Sequence, residues 1–334
     1  MKNKIEKVMV TGGLGFIGSH FVELLIAHGY QVMTFDNISY AADQAFLRSI
    51  EMSKLHNFVR GDVRDEIKIK QALEEFRPNY VVNFAAESHV DNSLREPKLF
   101  CDVNFMGVAT LLDEIIKITS KVGSTNFVKF VQIGTDEVYG SRKVTEVADP
   151  QTLLSPSNVY SASKAAADLL ALSYFKTYEI PVVVTRACNN YGPRQHSEKF
   201  IPTILKALKN NKPIPIYGAG DQMRQWIHVL DHAAAILEIM LHGAPGTIFN
   251  VGDENYISNL ELAKKICGLY DAIYNNPLRT SENLIRHVND RLGHDFGYSI
   301  SSDDTRSQLS WSPKISFEKG LSNLVATTFV TGAT

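Results

Sequence analysis

Short apolar runs rich in Val, Ile and Phe alternate, up to about residue 190, with longer segments whose apolar residues recur every three or four positions. The short runs have the length of buried strands, and the longer spacing is typical of amphipathic helices. Their alternation predicts a parallel sheet with helices on both faces. The predicted strands are Lys7–Thr11, Gln31–Asp36, Asn57–Arg60, Tyr80–Ala85, Phe127–Gly134 and Val182–Arg186.

Beyond about Tyr191 the alternation becomes less regular. Clusters of Pro, Gly and Asn at Asn210–Pro215 and Tyr217–Asp221 interrupt it. We therefore predict an α/β fold in which residues 1–190 form a doubly wound parallel sheet of Rossmann type and residues 191–334 mainly form a smaller C-terminal lobe. The boundary is soft, and some later segments are expected to return to the first domain.

Composition limits the class of partner. The chain has 334 residues, of which 44% are hydrophobic, and its 34 basic residues are balanced by 36 acidic ones. Such a chain lacks the positive excess that holds a phosphate polymer, so nucleic acid is not expected as a partner. No uninterrupted apolar stretch approaches 18 residues, and no secretory signal is apparent, so we expect a soluble cytoplasmic protein. The three cysteines are far apart and have no metal-ligand spacing, so no metal is expected.

A glycine pattern follows the first predicted strand. Gly12, Gly15 and Gly18 open an apolar-periodic helix. Glycines let the backbone turn tightly and approach a pyrophosphate, whose charge is met by free amides at the helix N-terminus, although an isolated match can also be an ordinary turn. The next strand ends in Asp36, where a carboxylate can bind a ribose and repel a 2′-phosphate, which favours NAD over NADP. Asp62, after the third strand, is placed to read an adenine edge, although Gly-Asp is also common in turns.

Two further groups carry candidate chemistry. Tyr160 and Lys164 lie four residues apart, on one face of a predicted helix. A lysine cation favours the phenolate, which can take a hydroxyl proton as hydride leaves the same carbon, although this spacing also occurs by chance on amphipathic helices. Thr135, Asp136 and Glu137 follow the fifth predicted strand, at the edge where sheets of this kind bind ligands. Together they favour alcohol oxidation beside a dinucleotide.

With these residues the chain resembles the extended short-chain dehydrogenase/reductases, most closely the nucleotide-diphosphate-glucose 4,6-dehydratases of the dTDP-glucose type. The resemblance spans nearly the whole chain. Related sugar-nucleotide epimerases typically carry no acid pair after the hydroxyl residue, so Asp136 and Glu137 discriminate between the two groups. The resemblance rests on the glycine loop, the Thr-Asp-Glu run and the segments Phe84–Asp91, Tyr160–Lys164, Asn189–Pro193, Gly218–Trp226 and Asp290–His294.

The resemblance implies a mechanism. Tyr160, helped by Thr135 and Lys164, would remove the proton of the sugar 4-hydroxyl while NAD accepts the C4 hydride. The resulting ketone acidifies C5, where Glu137 would act as base while a protonated Asp136 releases the C6 hydroxyl as water. Return of the hydride to C6 gives a 4-keto-6-deoxy sugar. Such a division requires surroundings that push the two pKa values apart; the alternative for the acid pair is a solvated turn.

The resemblance also implies which residues bind each ligand. Those expected to bind NAD are Gly12, Gly15, Phe16, Ile17, Gly18, Asp36, Asn37, Asp62, Val63, Ala85, Ala86, Tyr160, Lys164 and Asn190. Those expected to bind the nucleotide sugar are Ser88, Thr135, Asn189, Lys199, Phe200, Pro215, Ile216, Tyr217, Arg224, Asn259, Asp290, Arg291 and His294.

Some of these residues also have a structural explanation that involves no substrate. Arg224 is the strongest single candidate, because a guanidinium fork matches diphosphate oxygens, although a surface ion pair is its alternative. Lys199 and Arg291 could lie on solvated faces. His294 could be a buried structural histidine, and Asn189 could serve the turn near Gly192.

Four positions depart from the family pattern. Gly134 stands where the family usually has serine, Val103 where it usually has a threonine near the nicotinamide, and Leu292 where it often has proline. Gly297 stands where an arginine generally precedes the tyrosine. Recognition of the diphosphate or the base is therefore expected to differ from that of other members.

Other functions share part of this evidence. A UDP-sugar 4-epimerase or decarboxylase of the same superfamily would share NAD, Tyr160 and Lys164. A non-catalytic dinucleotide-binding scaffold is possible on the same fold, although Thr135 together with that pair argues against it. The family commonly forms homodimers through two long helices, here expected at Asp102–Lys117 and Val159–Tyr178.

Overall fold

The computed structural model describes residues 5–120, 126–275 and 280–330. The strands are β1 Lys7–Thr11, β2 Gln31–Asp36, β3 His56–Arg60, β4 Tyr80–Asn83, β5 Lys129–Thr135, β6 Val182–Ala187, β7 Asn189–Tyr191, β8 Ile214–Tyr217, β9 Met223–His228, β10 Ile248–Val251, β11 Tyr256–Ser258 and β12 Ile285–Val288. The α-helices are α1 Phe16–Ala27, α2 Gln44–Ile50, α3 Glu66–Phe76, α4 Val90–Arg95, α5 Pro97–Cys101, α6 Gly107–Thr119, α7 Val159–Tyr178, α8 Phe200–Lys209, α9 Val229–His242, α10 Asn259–Ile273, α11 Asp303–Leu309 and α12 Phe317–Val330.

Seven parallel strands form the main sheet, in the order β10-β6-β5-β4-β1-β2-β3. The strand order reverses on either side of β1, so the carboxyl ends of β1 and β4 diverge into a crevice. Ligands of doubly wound sheets bind at such a point. The predicted α/β fold of Rossmann type is confirmed.

The strands alternate between two cores. Val8 and Val10 face one core with α1 and α9, whereas Met9 between them faces the other with α3, α6 and α7. Because both faces are covered, the strands read as continuous apolar runs in the sequence.

A second group of elements forms a smaller lobe. Helices α8, α10 and α12 pack around a third core that includes Tyr191 and Trp226. Two small sheets, β11-β9-β7 and β12-β8, complete it. Later segments also return to the main sheet, since β10 pairs with β6 and α9 packs on α1.

Element boundaries differ slightly from the predicted ones. The strand predicted at Phe127–Gly134 is observed as Lys129–Thr135, and the predicted helix Val159–Tyr178 is observed with those bounds. The helix predicted at Asp102–Lys117 begins with one π-helical segment, Asp102–Met106, before α6. Within the described residues, we find no helix long and apolar enough to cross a bilayer.

Candidate active site

The carboxyl ends of β1, β2, β4, β5 and β6 open into one cavity of roughly 320 Å³. All fourteen residues expected to bind NAD line it, from the glycine loop to Asn190. The acid pair and Thr135 line the same cavity. Tertiary structure therefore brings the predicted cofactor and catalytic residues together.

The glycine loop has the form that a pyrophosphate requires. Gly12 has φ +66°, and a Cβ there would lie 2.6 Å from the Ala85 amide nitrogen. A Cβ on Gly18 would collide with the Gly12 carbonyl. Helix α1 begins at Gly15 without a side-chain cap and without an acidic residue in its first turn, which leaves amides free for an anion. This cradle fits the diphosphate of NAD.

Asp36 is buried at the end of β2 and ties the loop to the sheet. Its carboxylate accepts the amides of Leu14, at 3.0 Å, and Ile38, at 2.8 Å. The remaining lone pairs face the cavity wall that carries Asn37 and Asp62, where a ribose hydroxyl can donate to them. Burial raises the pKa of Asp36, and the two amides oppose that rise.

Helix α7 presents the candidate base. A capping box begins it, with the Asn158 side chain accepting the Ser161 amide at 2.9 Å. Tyr160 and Lys164 then lie one turn apart, both buried on the cavity side. Lys164 Nζ donates to the Ile133 carbonyl at 2.6 Å. Burial and the nearby Glu137 raise the pKa of Tyr160, a shift opposite to the phenolate stabilisation expected from Lys164.

The acids after β5 occupy different environments. Thr135 is the N-cap of a 3₁₀ turn, Asp136–Tyr139, and its hydroxyl lies 3.3 Å from both Asp136 Oδ1 and the Glu137 amide. Burial and the charge of Glu137 raise the pKa of Asp136 well above its usual range. Burial also raises the pKa of Glu137, but Arg224, Arg291 and Lys199 oppose the rise. Asp136 is thus favoured as the protonated partner and Glu137 as the ionised one.

Tyr298 contacts Glu137, Asp295 holds the Tyr298 hydroxyl, and neither was among the predicted site residues. The buried Tyr298 hydroxyl lies 2.7 Å from Asp295 Oδ2 and 3.4 Å from Glu137 Oε2. Ser157 donates to the other oxygen of Asp295. Asp295 directly follows the predicted His294, and Tyr298 directly follows Gly297. That adjacency is a signal for the two residues, but it does not connect them with Glu137.

Four of the predicted substrate residues line the cavity: Ser88, Thr135, Asn189 and Lys199. Lys199 Nζ donates to the Ser88 carbonyl at 2.8 Å, which joins the second lobe to the loop after β4. Lys199 is half-buried and lines the cavity, and burial lowers the pKa of its ammonium group.

The other nine predicted substrate residues do not line this cavity, but several form a connected polar surface beside it. His294 Nδ1 lies 2.6 Å from Asp290 Oδ1, and its ring packs edge-on against Tyr217. Tyr217 donates to Asp91 at 3.4 Å, and Arg291 lies 4.0 Å from the same carboxylate. The remaining members of the nine are Phe200, Pro215, Ile216, Arg224 and Asn259.

Two of these placements change the sequence interpretation. Ile216 is fully buried in the core of the second lobe, so any contact with a nucleotide would be made by its backbone. Arg224 is buried rather than in a surface ion pair. It donates to the carbonyls of Met223, Asp295 and Phe296 and lies 4.6 Å from the Tyr298 ring.

Other cavity residues were missed by sequence reasoning. Glu198 accepts from Tyr40 at 3.1 Å, and His232 lies 2.9 Å from the Asn190 side chain. Glu198 adjoins the predicted Lys199, which is a signal that could have found it. His232 lies on α9, far from any motif in the sequence. The remaining missed members include Glu87, Cys188, Gln195 and His196.

Comparison with known proteins agrees with this geometry. The family model described as GDP-mannose 4,6 dehydratase matches residues 9–324. A probable dTDP-glucose 4,6-dehydratase of Sinorhizobium fredii is 37% identical over 321 residues, which is 96% of this chain and 91% of that protein.

Solved structures show the same similarity. The dTDP-glucose 4,6-dehydratase of Bacillus anthracis, in complex with NAD, has 36% identity and a TM-score of 0.85 over 96% of this chain and 95% of its own. A UDP-glucose 4-epimerase of Thermotoga maritima, with UDP-glucose, aligns at TM-score 0.86 with 25% identity over 97% and 99%. The backbone alone therefore does not separate dehydratase from epimerase, whereas sequence identity favours the dehydratase. The chain belongs to the nucleotide-diphosphate-glucose 4,6-dehydratase family of extended short-chain dehydrogenase/reductases.

Proposed function

We propose that this protein catalyses NAD-dependent dehydration of a nucleoside-diphosphate glucose, dTDP- or UDP-glucose, to the 4-keto-6-deoxy sugar. One observation carries the proposal: Asp136 and Glu137 share a cavity with Tyr160 and with the cradle of Gly12 and Gly18. It is therefore a hydro-lyase whose cofactor ends each cycle unchanged.

The cradle, Asp36 and Asp62 would hold the cofactor. Bound NAD supplies a hydride acceptor and, in its oxidised form, a positive charge that favours the phenolate. Tyr160 takes the proton of the 4-hydroxyl, and Thr135 orients that hydroxyl. A ketone forms at C4 of the sugar.

The acid pair then eliminates water. The C4 ketone acidifies C5, and Glu137 removes the C5 proton. Asp136, held neutral by its buried position, donates a proton to the C6 hydroxyl, which leaves as water. The different surroundings of the two carboxyls are what this division of roles requires. After hydride returns to C6, Glu137 can return its proton to C5.

The alternatives are less well supported. A 4-epimerase or decarboxylase would share Tyr160 and Lys164 but has no evident use for a buried neutral acid beside an ionised one. A scaffold would not need an aligned base, hydroxyl and acid pair in one cavity.

The test is product analysis with purified, NAD-loaded protein. Incubation with dTDP-glucose and, separately, UDP-glucose is expected to give a product lighter by one water, with the alkali-induced absorbance of a 4-keto-6-deoxy sugar. A galactose-type product would replace the proposal with epimerisation, and unchanged sugar would favour the scaffold.

The Glu137→Gln variant separates the steps. C4 oxidation is expected to persist, because Tyr160 is intact, while water loss is blocked. Reduced cofactor should then accumulate in a single turnover, read at the absorbance of NADH. A variant that folds, makes no product and never accumulates NADH would contradict the role given to Glu137.

We also propose a homodimer formed through α6 and α7. Leu94, Met106 and Leu169 are exposed on or beside these helices, which pack on each other. Sedimentation of wild type and Leu169→Lys would test the proposal, with a monomer expected only for the variant.

A cytoplasmic location is likewise proposed, supported by the unpaired state of Cys101, Cys188 and Cys267.

A further inference from the structure

A buried ion pair lies beneath the catalytic helix, outside the cavity. Arg186 Nε on β6 donates to Asp168 Oδ2 on α7 at 2.9 Å, and the two side chains are 2% and 0% exposed. Arg186 Nη1 donates to the Tyr139 hydroxyl at 3.0 Å, which in turn donates to Asn250 at 2.8 Å. Such pairs often add little stability over apolar residues, because both charges lose their hydration. Stability alone therefore does not account for this ion pair.

Asp168 lies one helical turn after Lys164, and both side chains lie against the end of β5. Lys164 donates to the carbonyl of Ile133 at 2.6 Å. At the next residue, Gly134, a Cβ would collide with the Thr185 carbonyl and would also stand 3.1 Å from each Asp168 oxygen. The side chains of Lys164 and Asp168 thus lie against Ile133 and Gly134, the two residues that precede Thr135.

One Asp168 oxygen is free to act through space. Oδ2 is held by Arg186, whereas Oδ1 is buried with no hydrogen-bond partner among the described residues. In a low-dielectric interior, a carboxylate oxygen in this state exerts a strong field on nearby charges. Besides Arg186, the charge of Asp168 acts on Lys164, which lies four residues earlier on the same face of α7.

The charges around Lys164 also indicate that Asp168 acts on its ammonium group. Burial lowers the pKa of Lys164, and Asp168 is the carboxylate that opposes this shift. Burial raises the pKa of Asp168, and Arg186 and Lys164 oppose that rise. The ion pair with Arg186, at 2.9 Å, favours the carboxylate form.

The other titratable groups on the elements around Lys164 do not offer the same support. They are Tyr160 on α7, Asp136 and Glu137 after β5, and Cys188 and His232 across the cavity. Burial favours the neutral forms of Tyr160, Asp136, Cys188 and His232. Burial also raises the pKa of Glu137, and the cations that oppose this rise come from the second lobe.

We propose that Asp168, locked in place by Arg186, is a positioning residue that keeps Lys164 charged and fixed at the end of β5 for the oxidation step. The inference rests on the proposed function only in assigning Lys164 to that step. Gly134 is part of the arrangement, because its missing side chain lets the Asp168 carboxylate approach the strand.

The test replaces both buried charges together. Asp168→Asn alone leaves Arg186 unpaired, which threatens folding, whereas Asp168→Asn with Arg186→Gln leaves no isolated charge. In NAD-loaded protein labelled with ε-¹³C lysine, the Lys164 resonance, assigned by its loss in Lys164→Met, is followed against pH. Its titration is expected to move down by about one pH unit or more in the double variant.

Kinetics provide the second measurement. The alkaline limb of the single-turnover oxidation rate should move down by the same amount, while Asp168→Glu, which keeps the charge, should restore most of the wild-type profile. If that double variant does not fold, Asp168→Leu with Arg186→Met takes its place, because apolar side chains of similar volume often replace a buried ion pair without loss of stability.

The matched control is Asp271→Asn. Asp271 is a buried carboxylate on α10 that accepts from Ser281, in the other lobe. It is expected to lower Tm without moving the Lys164 titration. An unmoved titration in the variant that lacks the Asp168 carboxylate would overturn the inference and leave the pair a structural one. Absence of 4-keto-6-deoxy product from wild type would instead overturn the proposed function, and the lysine titration would still decide the inference.

Discussion

At the scale of single residues, this site depends on keeping neighbouring groups in different protonation states. Asp136 and Glu137 are adjacent in sequence, yet only Asp136 has an oxygen that is buried without a partner among the described residues. The three cations that act on Glu137 come from the second lobe. The sequence predicted which two acids matter, but only the surroundings divide their roles.

Tyr160→Phe is expected to abolish the first oxidation, by at least about a thousandfold, because no other group is placed to take the 4-hydroxyl proton. NADH absorbance in a single turnover measures this, with cofactor retention checked on the same sample. Tyr256→Phe, which removes only a hydroxyl bonded to Ser299 at 2.8 Å, is the control and should leave the rate near wild type. Comparable rates for the two variants would remove Tyr160 from its role.

Asp136→Asn is expected to abolish dehydration yet stabilise the fold at neutral pH. Burial raises the pKa of Asp136 in the folded state. The protonated side chain therefore contributes fully to the free energy of unfolding below the pKa of the unfolded chain, and this contribution is lost as pH rises through the folded-state pKa. The asparagine side chain does not titrate. The free energy of unfolding of the variant should therefore exceed that of wild type by an amount that grows as pH rises between the two pKa values, to about 1–2 kcal/mol. Urea unfolding at a series of pH values measures it; an advantage independent of pH would contradict the assignment.

At the scale of elements, each ligand-binding feature occurs where a strand or helix begins or ends. The glycine loop lies between β1 and α1, Thr135 is both the last residue of β5 and the cap of the next turn, and the capping box of α7 sets Tyr160 on its first turn. These ends were predictable because glycines and capping residues act locally.

Gly18→Ala is expected to abolish NAD binding, because its Cβ would collide with the Gly12 carbonyl and close the cradle. Calorimetric titration of protein stripped of cofactor measures this. Gly268→Ala is the matched change: that glycine lies in α10 with open space around its Cβ position, so binding should be unchanged and stability should rise by up to about 1 kcal/mol. Equal loss of binding in both variants would contradict the argument.

At the scale of the whole molecule, the second lobe completes the site. It contributes Lys199, the cations that act on Glu137 and the surface around His294. Polar contacts tie it to the main sheet. One of these is Asp231 on α9, whose two oxygens accept the amides of Lys314 and Ile315 just before α12.

Asp231→Ala is therefore expected to destabilise the protein by about 2–3 kcal/mol, because two amides lose a charged acceptor. Denaturant unfolding followed by both circular dichroism and Trp fluorescence measures it. Glu238→Ala, an exposed carboxylate on the same helix, should change stability by less than about 0.5 kcal/mol. Similar losses in both variants would show that the contact does not join the lobes.

The sequence by itself determined the strand-helix alternation, the glycine cradle and the position of Asp36. It also determined that Tyr160 lies one turn before Lys164 and that two acids follow β5. Each of these features depends on local spacing or on the end of a strand. It could not place Tyr298, Asp295, His232 or Glu198, nor bury Ile216 and Arg224, because these depend on contacts between distant segments. Nor could it set the pKa values of Asp136 and Glu137. Burial and through-space charge decide them, and both exist only once the chain has folded.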